Sequence, residues 1–355
     1  MLARGMSHRV MKPQKESGIC LYPFSRMVLG DLKFVPCCAS WLTEEYHALR
    51  QGFDLWNGPA AIELRRRILS GDTSLCRREI CLSPLIKIEE LKDSLVFHSE
   101  HPMPPENLEA ILSGKTRMPQ GPGAVVVTSD PRCNLACPSC RDYPVFKLEG
   151  RAEWGVQITE KFLGQYSSSL RVVKMAGDGE VFFSPFLRRI LKDLHRGNYP
   201  NLDYVFLLSN GLLANQRNFE LLKPGSESIR RVSISVDAGN EQVYQKVRGG
   251  NWKVLMKNLR WLSKLRACGK LDYLNICFVM REENFRSMLE FVELGKDLGV
   301  DHVMFSEWVP WARAKAIDTH SQAVHKKQHP KYREFFEILH LVKDDPMVQL
   351  KISIM

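Results

Sequence analysis

Cys133, Cys137 and Cys140 sit in the segment TSDPRCNLACPSCR, residues 128–141, with the spacing C-x3-C-x2-C. Three thiolates on one loop can hold three irons of a [4Fe–4S] cluster and leave the fourth iron without a protein ligand. An open coordination position of that kind lets a metal bind a cofactor directly. A zinc site or a redox thiol pair fits the same three residues. Five further cysteines lie upstream: Cys20, Cys37, Cys38, Cys76 and Cys81. Neighbouring residues on a strand point to opposite faces, so one of Cys37 and Cys38 ligates. The set is Cys20, Cys38, Cys76 and Cys81, with Cys37 as the alternative to Cys38. Four thiolates suit zinc as well as iron–sulfur. Cys268 and Cys277 fall outside both groups and read as small core residues.

The elements that must position the C-x3-C-x2-C loop alternate along the chain. Strand patterns fall at 124–128, 171–175, 204–208, 231–236, 274–280 and 302–305, mostly as near-continuous apolar runs expected of strands buried on both faces. Helix patterns fall at 159–170, 185–195, 215–222, 251–268, 283–298 and 331–342. This (βα)6 order predicts an α/β fold with parallel strands and right-handed crossovers. The cysteine loop follows the first strand, at its C-terminal end, where such sheets place reactive groups.

Polar residues recur at the later strand ends. AGDGE, residues 176–180, puts Gly177, Gly179 and Glu180 after the second strand, where glycine lets backbone approach a ligand. Ser209-Asn210-Gly211 ends the third strand. Ser233, Ser235 and Asp237 alternate along the fourth, so period two places them on one face. Arg248 follows in VRGG, Asn284 follows the fifth strand, and Glu307, Trp308 and Trp311 follow the sixth.

With these residues in order, CNLACPSC resembles the signature of the radical S-adenosylmethionine (SAM) superfamily. AGDGE resembles its Gly-Gly-Glu motif, although Val181 stands where a proline is usual. Ser-Asn-Gly resembles its Thr-Asn-Gly turn, and VSISVDA with VRGGNWKVLMKNL resembles a later stretch. The aromatic residue often found before the third cysteine is replaced by Ser139, and Tyr143 is the candidate to supply that face. The resemblance covers about 124–298. It implies a (βα)6 partial TIM barrel in which SAM chelates the open iron. One electron then cleaves SAM to a 5′-deoxyadenosyl radical that takes hydrogen from a substrate. It also implies SAM contacts from Gly177, Gly179, Glu180, Ser209, Ser235 and Arg248, and an electron donor of the flavodoxin or ferredoxin type.

The upstream cysteines carry a second resemblance. Cys20 with Pro23-Phe24, then Pro36-Cys37-Cys38, Trp41, Trp56-Asn57-Gly58, Leu64-Arg65, Cys76 and Cys81 are similar to the SPASM or Twitch module. That module holds an auxiliary [4Fe–4S] cluster and usually follows the core; here it precedes it. Members with such modules often modify peptides, and some act on sugars or small metabolites. Dehydrogenation, epimerisation and cross-linking all fit. The predicted organisation is a flexible tail at 1–17, a small α+β cysteine-rich domain at 18–95, a Pro/Gly-rich linker at 96–123 and the barrel at 124–355. Within the small domain, 21–24 and 33–37 read as a hairpin around Gly30-Asp31, and 59–69 as a helix stopped by Gly71. Phe53 and Trp56 read as core.

The composition is compatible with all of this. Apolar residues make up 44% of the 355, enough for a sizeable core. No apolar run is long enough for a membrane span, and the basic start lacks a secretory h-region, so the expectation is a soluble, cytoplasmic protein. Ten cysteines in a reducing compartment point to metal rather than disulfides. The net charge of +10 suits an acidic electron-donor protein. It would also suit nucleic acid, but the charge is scattered, and the longest basic run, Arg65-Arg66-Arg67, reads as a solvated helix face. Two other readings remain: a non-catalytic iron–sulfur carrier or zinc-stabilised binding protein, and a nucleic-acid modifying enzyme of the same superfamily.

Overall fold

A computed structural model describes residues 18–30, 34–38, 41–48, 54–78, 81, 83, 85–91, 102–175, 177–309 and 322–351. Asp31, Lys33, Phe53, Ala176 and Trp311, the tail at 1–17 and the start of the linker lie outside them. Nine strands form one sheet: β1 (Arg26–Gly30), β2 (Phe34–Val35), β3 (Ala124–Thr128), β4 (Val172–Met175), β5 (Tyr204–Ser209), β6 (Ile229–Ser235), β7 (Tyr273–Met280), β8 (His302–Glu307) and β9 (Val348–Lys351). Their order is β2-β1-β3-β4-β5-β6-β7-β8-β9. Every neighbouring pair is parallel except β1 with β2. The expected strands are β3–β8, and the sheet is consistent with a partial TIM barrel.

The period of two explains the layering. Val125, Val127, Val173, Met175, Leu207, Ile234, Phe278 and Phe305 are fully buried. Helix α10 (Met288–Leu298) packs on that face, with Phe291 against Phe278 and Phe305. The alternate residues form the second face, and Ser233, Asn275 and Cys277 are nearly as deeply buried there. Polar side chains on a second, buried face suit a sheet that curls over its own contents. Capping supports the helices that return the chain to each new strand. Ser184, Asn215, Asn240 and Asn251 accept the first-turn N–H bonds of helices Pro185–Asp193, Gln216–Leu221, Glu241–Val247 and Trp252–Ala267.

The N-terminal segment is part of the same sheet. Strand β1 pairs with β3 over its whole length, from Arg26↔Ala124 to Gly30↔Thr128. One hydrophobic cluster runs from Ile19 through Trp56 and Val125 to Val342. The expected boundary at 96–123 therefore separates neither sheets nor cores. Its described part contains a helix, Pro105–Leu112, and Trp56 Nε1 donates to Gln120 O at 2.8 Å.

Other local expectations change too. Residues 22–25 are a helical turn, not extended, with Ser25 Oγ donating back to Leu21 O. The helix at Pro59–Leu69 has the expected bounds, but Arg65 is not on a solvated face. It is fully buried, stacked 4.3 Å over Trp56, and donates to Pro23 O, Asn57 Oδ1 and Thr116 O. Arg66 and Arg67 do face outward and pair with Glu63. Cys268 is exposed at a helix end instead of in the core. Among the described residues no helix is long and apolar enough to cross a membrane.

Candidate active site

The loop after β3 brings the three cysteines together. Cys133 and Cys137 are buried against Leu135, with Cys140 and Leu212 packed beside them. Cys140 N–H and Arg141 N–H both donate to Cys137 O, winding the second and third cysteines into one turn. Each sulfur has an N–H donor directed at it. Asn210 Nδ2 lies 3.7 Å from Cys133 Sγ, Arg248 Nη1 3.6 Å from Cys137 Sγ, and Arg141 Nη2 3.4 Å from Cys140 Sγ. Donors of this kind stabilise thiolate and cluster charge. Burial pushes the Cys133 thiol up to about 11, so a metal must displace its proton.

The AGDGE turn, after β4, clasps this loop. Glu180 N–H donates to Arg132 O at 2.9 Å, and Asp178 O accepts from Arg141 Nη2. A Cβ on Gly179 would stand 2.1 Å from Asp130 O. Gly177 has φ +109, and a Cβ there would meet Thr128 at 2.7 Å. The two glycines are thus required by loop-to-loop approach. Glu180 is buried and accepts from Ser209 Oγ at 2.8 Å and from Asn210 N–H at 2.7 Å. Burial raises its pKa against these hydrogen bonds, which lower it. Glu180 and Ser209 therefore engage each other and the turn that carries Asn210.

Arg248 is also engaged within the protein. Its Nη2 pairs with Asp237 at 2.8 Å, and its backbone O faces Cys137 Sγ at 3.8 Å. Burial pulls its pKa down, but Asp237 and Cys137 outweigh that and leave it raised. Its buried Nε has no partner among the described residues. Asp237 adopts φ +60 and accepts from Val279 N–H, and Asn284 Nδ2 donates to the carbonyls of Asp237 and Val279. Asn284 is thus a brace between β6 and β7. Ser233 Oγ lies 2.9 Å from Cys277 Sγ. Ser235 is half-buried, and its hydroxyl has no hydrogen-bond partner among the described residues. Tyr143 is 71% exposed, and Trp308 is buried, its Nε1 without a partner among the described residues. Arg141 and Asp130 are site residues that sequence reasoning missed, and Asn210, seen there only as part of a turn, faces Cys133. Asp130 lies three residues before Cys133, and its buried carboxylate binds Arg132 and Ser184.

The second thiol group lies elsewhere. Cys20, Cys37, Cys76 and Cys81 line one cavity with Trp41, Leu64 and Arg78. Cys38, preferred on sequence, does not line it. Burial pushes the Cys37 thiol well up and the Cys76 thiol up to about 12, each raised further by the neighbouring cysteines. In this geometry no three Cys, His, Asp or Glu side chains of the described residues converge on a single ion. The cavity lies beyond the N-terminal end of β1, because Cys20 precedes the turn into β1 and Cys37 follows antiparallel β2. Cys133 follows the C-terminal end of β3. With β1 and β3 in register over five pairs, at least about 13 Å of strand separates the two sites.

Residues 128–295 match the family model of the Radical SAM superfamily. Over these residues the chain carries a radical SAM domain, and that family implies a [4Fe–4S] cluster and SAM. Three thiols on one loop, each beside an N–H donor, fit that cluster. Three solved structures are similar at low identity. SuiB of Streptococcus suis bound to S-adenosylmethionine is 13% identical with a TM-score of 0.43, covering 75% of this chain and 60% of that one. The anSMEcpe enzyme with bound AdoMet is 18% identical with a TM-score of 0.37, covering 53% and 51%. TYW1 with a lysine–pyruvate adduct is 17% identical with a TM-score of 0.39, covering 61% and 72%. The chain thus spans about half to three-fifths of the first two. No curated protein matches it.

Proposed function

We propose that this protein binds SAM at the open iron of a [4Fe–4S] cluster held by Cys133, Cys137 and Cys140 and uses it to abstract hydrogen from a substrate. Bound there and reduced by one electron, the cofactor supplies a 5′-deoxyadenosyl radical. The observation that carries this reading is the set of three donors, Asn210, Arg248 and Arg141, one beside each sulfur. Of the residues expected to touch SAM, Ser235 has a hydroxyl without a partner among the described residues. Gly177, Gly179, Glu180, Ser209 and Arg248 act one step back: they shape the cysteine loop or neutralise its charge.

Cys20, Cys37, Cys76 and Cys81 hold an auxiliary [4Fe–4S] cluster in this reading. Its place at the opposite end of the strands suits an electron conduit or a structural staple better than a direct substrate ligand. A peptide is the favoured substrate because of the resemblance to SPASM-type modules, with a flavodoxin or ferredoxin as electron donor. The test is anaerobic reconstitution followed by SAM and a strong reductant. The parent should release 5′-deoxyadenosine and Cys137→Ala should not. Equal release by both would refute the cluster assignment, and no release by the parent would favour an electron carrier.

A further inference from the structure

Cys277 is buried, as expected, and stands on the second face of the sheet, in the row of Ser235. The two are register partners across β6 and β7, and Cys277 is 8% exposed. From Cys277 the contacts run to the cluster loop: Asp237 N–H donates to Cys277 O at 3.1 Å, Asp237 pairs with Arg248, and Arg248 reaches Cys137.

The surroundings of the thiol are polar. Ser233 Oγ is 2.9 Å away, and Asn275 Nδ2 is directed at the sulfur from 3.5 Å. Asn275 is 2% exposed, and its Oδ1 has no partner among the described residues. Beside it in register, His302 has a buried Nδ1 that also lacks one. A buried carbonyl oxygen without a donor is costly, so a ligand N–H or O–H has a place prepared for it here. A purely packing position would be filled by valine or alanine with no polar ring around it. Burial also pushes the thiol up to about 11, so at neutral pH it keeps its hydrogen.

We propose that Cys277 is a further catalytic residue, a hydrogen-atom donor on the wall of the reaction pocket, with Asn275 and Ser233 orienting its thiol. The proposal rests on the radical reading above. The Cys277 S–H bond, weaker than an alkyl C–H bond, breaks homolytically, and a C–H bond forms on the carbon radical facing it. The Cys277 thiyl radical then returns to thiol with one electron from a flavodoxin- or ferredoxin-type donor and one proton from solvent. Hydrogen returned on the face opposite to its removal is the chemistry of epimerisation, and the orphaned Asn275 Oδ1 suits the amide N–H of a peptide substrate.

The experiment uses the reconstituted holoprotein in D2O with SAM and dithionite and no added substrate. Exchangeable S–D at Cys277 is then the hydrogen source expected to quench the radical, so the released 5′-deoxyadenosine should be heavier by one mass unit. Cys277→Ser should lose that shift, and Cys277→Ala serves if the serine variant does not fold. Independently of turnover, iodoacetamide labelling of Cys277, read on its peptide by mass spectrometry, should slow when SAM is bound. Product without deuterium from the parent, deuterium that persists in the variants, or labelling indifferent to SAM would each overturn the proposal while leaving SAM cleavage standing. Absence of 5′-deoxyadenosine from the parent would overturn both.

Discussion

At Gly179 a single methyl group decides whether the cysteine loop can form. Its Cβ would overlap Asp130 O at 2.1 Å, and Arg132 O lies 2.8 Å away. Gly179→Ala should therefore displace the loop and lower iron content toward that of Cys137→Ala. Unchanged iron with weakened SAM binding would instead place the constraint at the cofactor. Glu180→Gln turns an amide donor toward the N–H and O–H groups that Glu180 now accepts. It should cost roughly 1.5–3 kcal/mol in thermal or denaturant unfolding, the range for bonds to a charged group. The C-x3-C-x2-C spacing was legible because chelation by one loop is local. Its donors were not, because Asn210 and Arg248 come from 77 and 111 residues downstream of the sulfurs they meet. Only the fold makes them neighbours.

The strands β3–β8 were legible because each is a short, mostly apolar run between turn residues, with at least one face buried. Strand β1 was not: Arg26–Gly30 is five residues long, begins with arginine and follows a Tyr-Pro turn, so nothing local reveals its partner, β3. The run Arg65-Arg66-Arg67 misled for a related reason. Helical period places Arg65 on the face of Ala61, Leu64 and Ile68, so it is carried into the core, where Trp56 and three acceptors receive it. Arg65→Ala leaves those acceptors without a donor and opens a void. We expect a loss of about 3 kcal/mol, measured by denaturant unfolding. The choice between adjacent cysteines also belongs to the elements, since β2 fixes which one turns inward. Cys37→Ser should remove the upstream iron, about half the total if both sites hold four. Cys38→Ser should keep it, and the opposite pattern in an iron assay would return the ligand set to Cys38.

The molecule as a whole keeps its two thiol groups at opposite ends of one parallel sheet, a relation that no spacing in the sequence discloses. Its pH response is set partly at the far edge of that sheet. His325 is buried beside Glu307 at 3.6 Å, and burial pulls its pKa down to about 4 despite the carboxylate. A base with a depressed pKa contributes full stability above its unfolded value, near 6.5, and loses it as pH falls from there toward 4. Melting temperature should drop over that window, by the equivalent of ~3 kcal/mol. His325→Gln should flatten the drop, and an unchanged slope would assign it to other groups. The central claim, an iron with an open position beside Cys133, Cys137 and Cys140, is tested most directly by electron paramagnetic resonance. The measurement is made on the anaerobically reconstituted, reduced protein with and without SAM. Binding of SAM to the fourth iron should shift the cluster signal in the parent and leave no such shift in Cys137→Ala. A parent spectrum indifferent to saturating SAM would contradict the account.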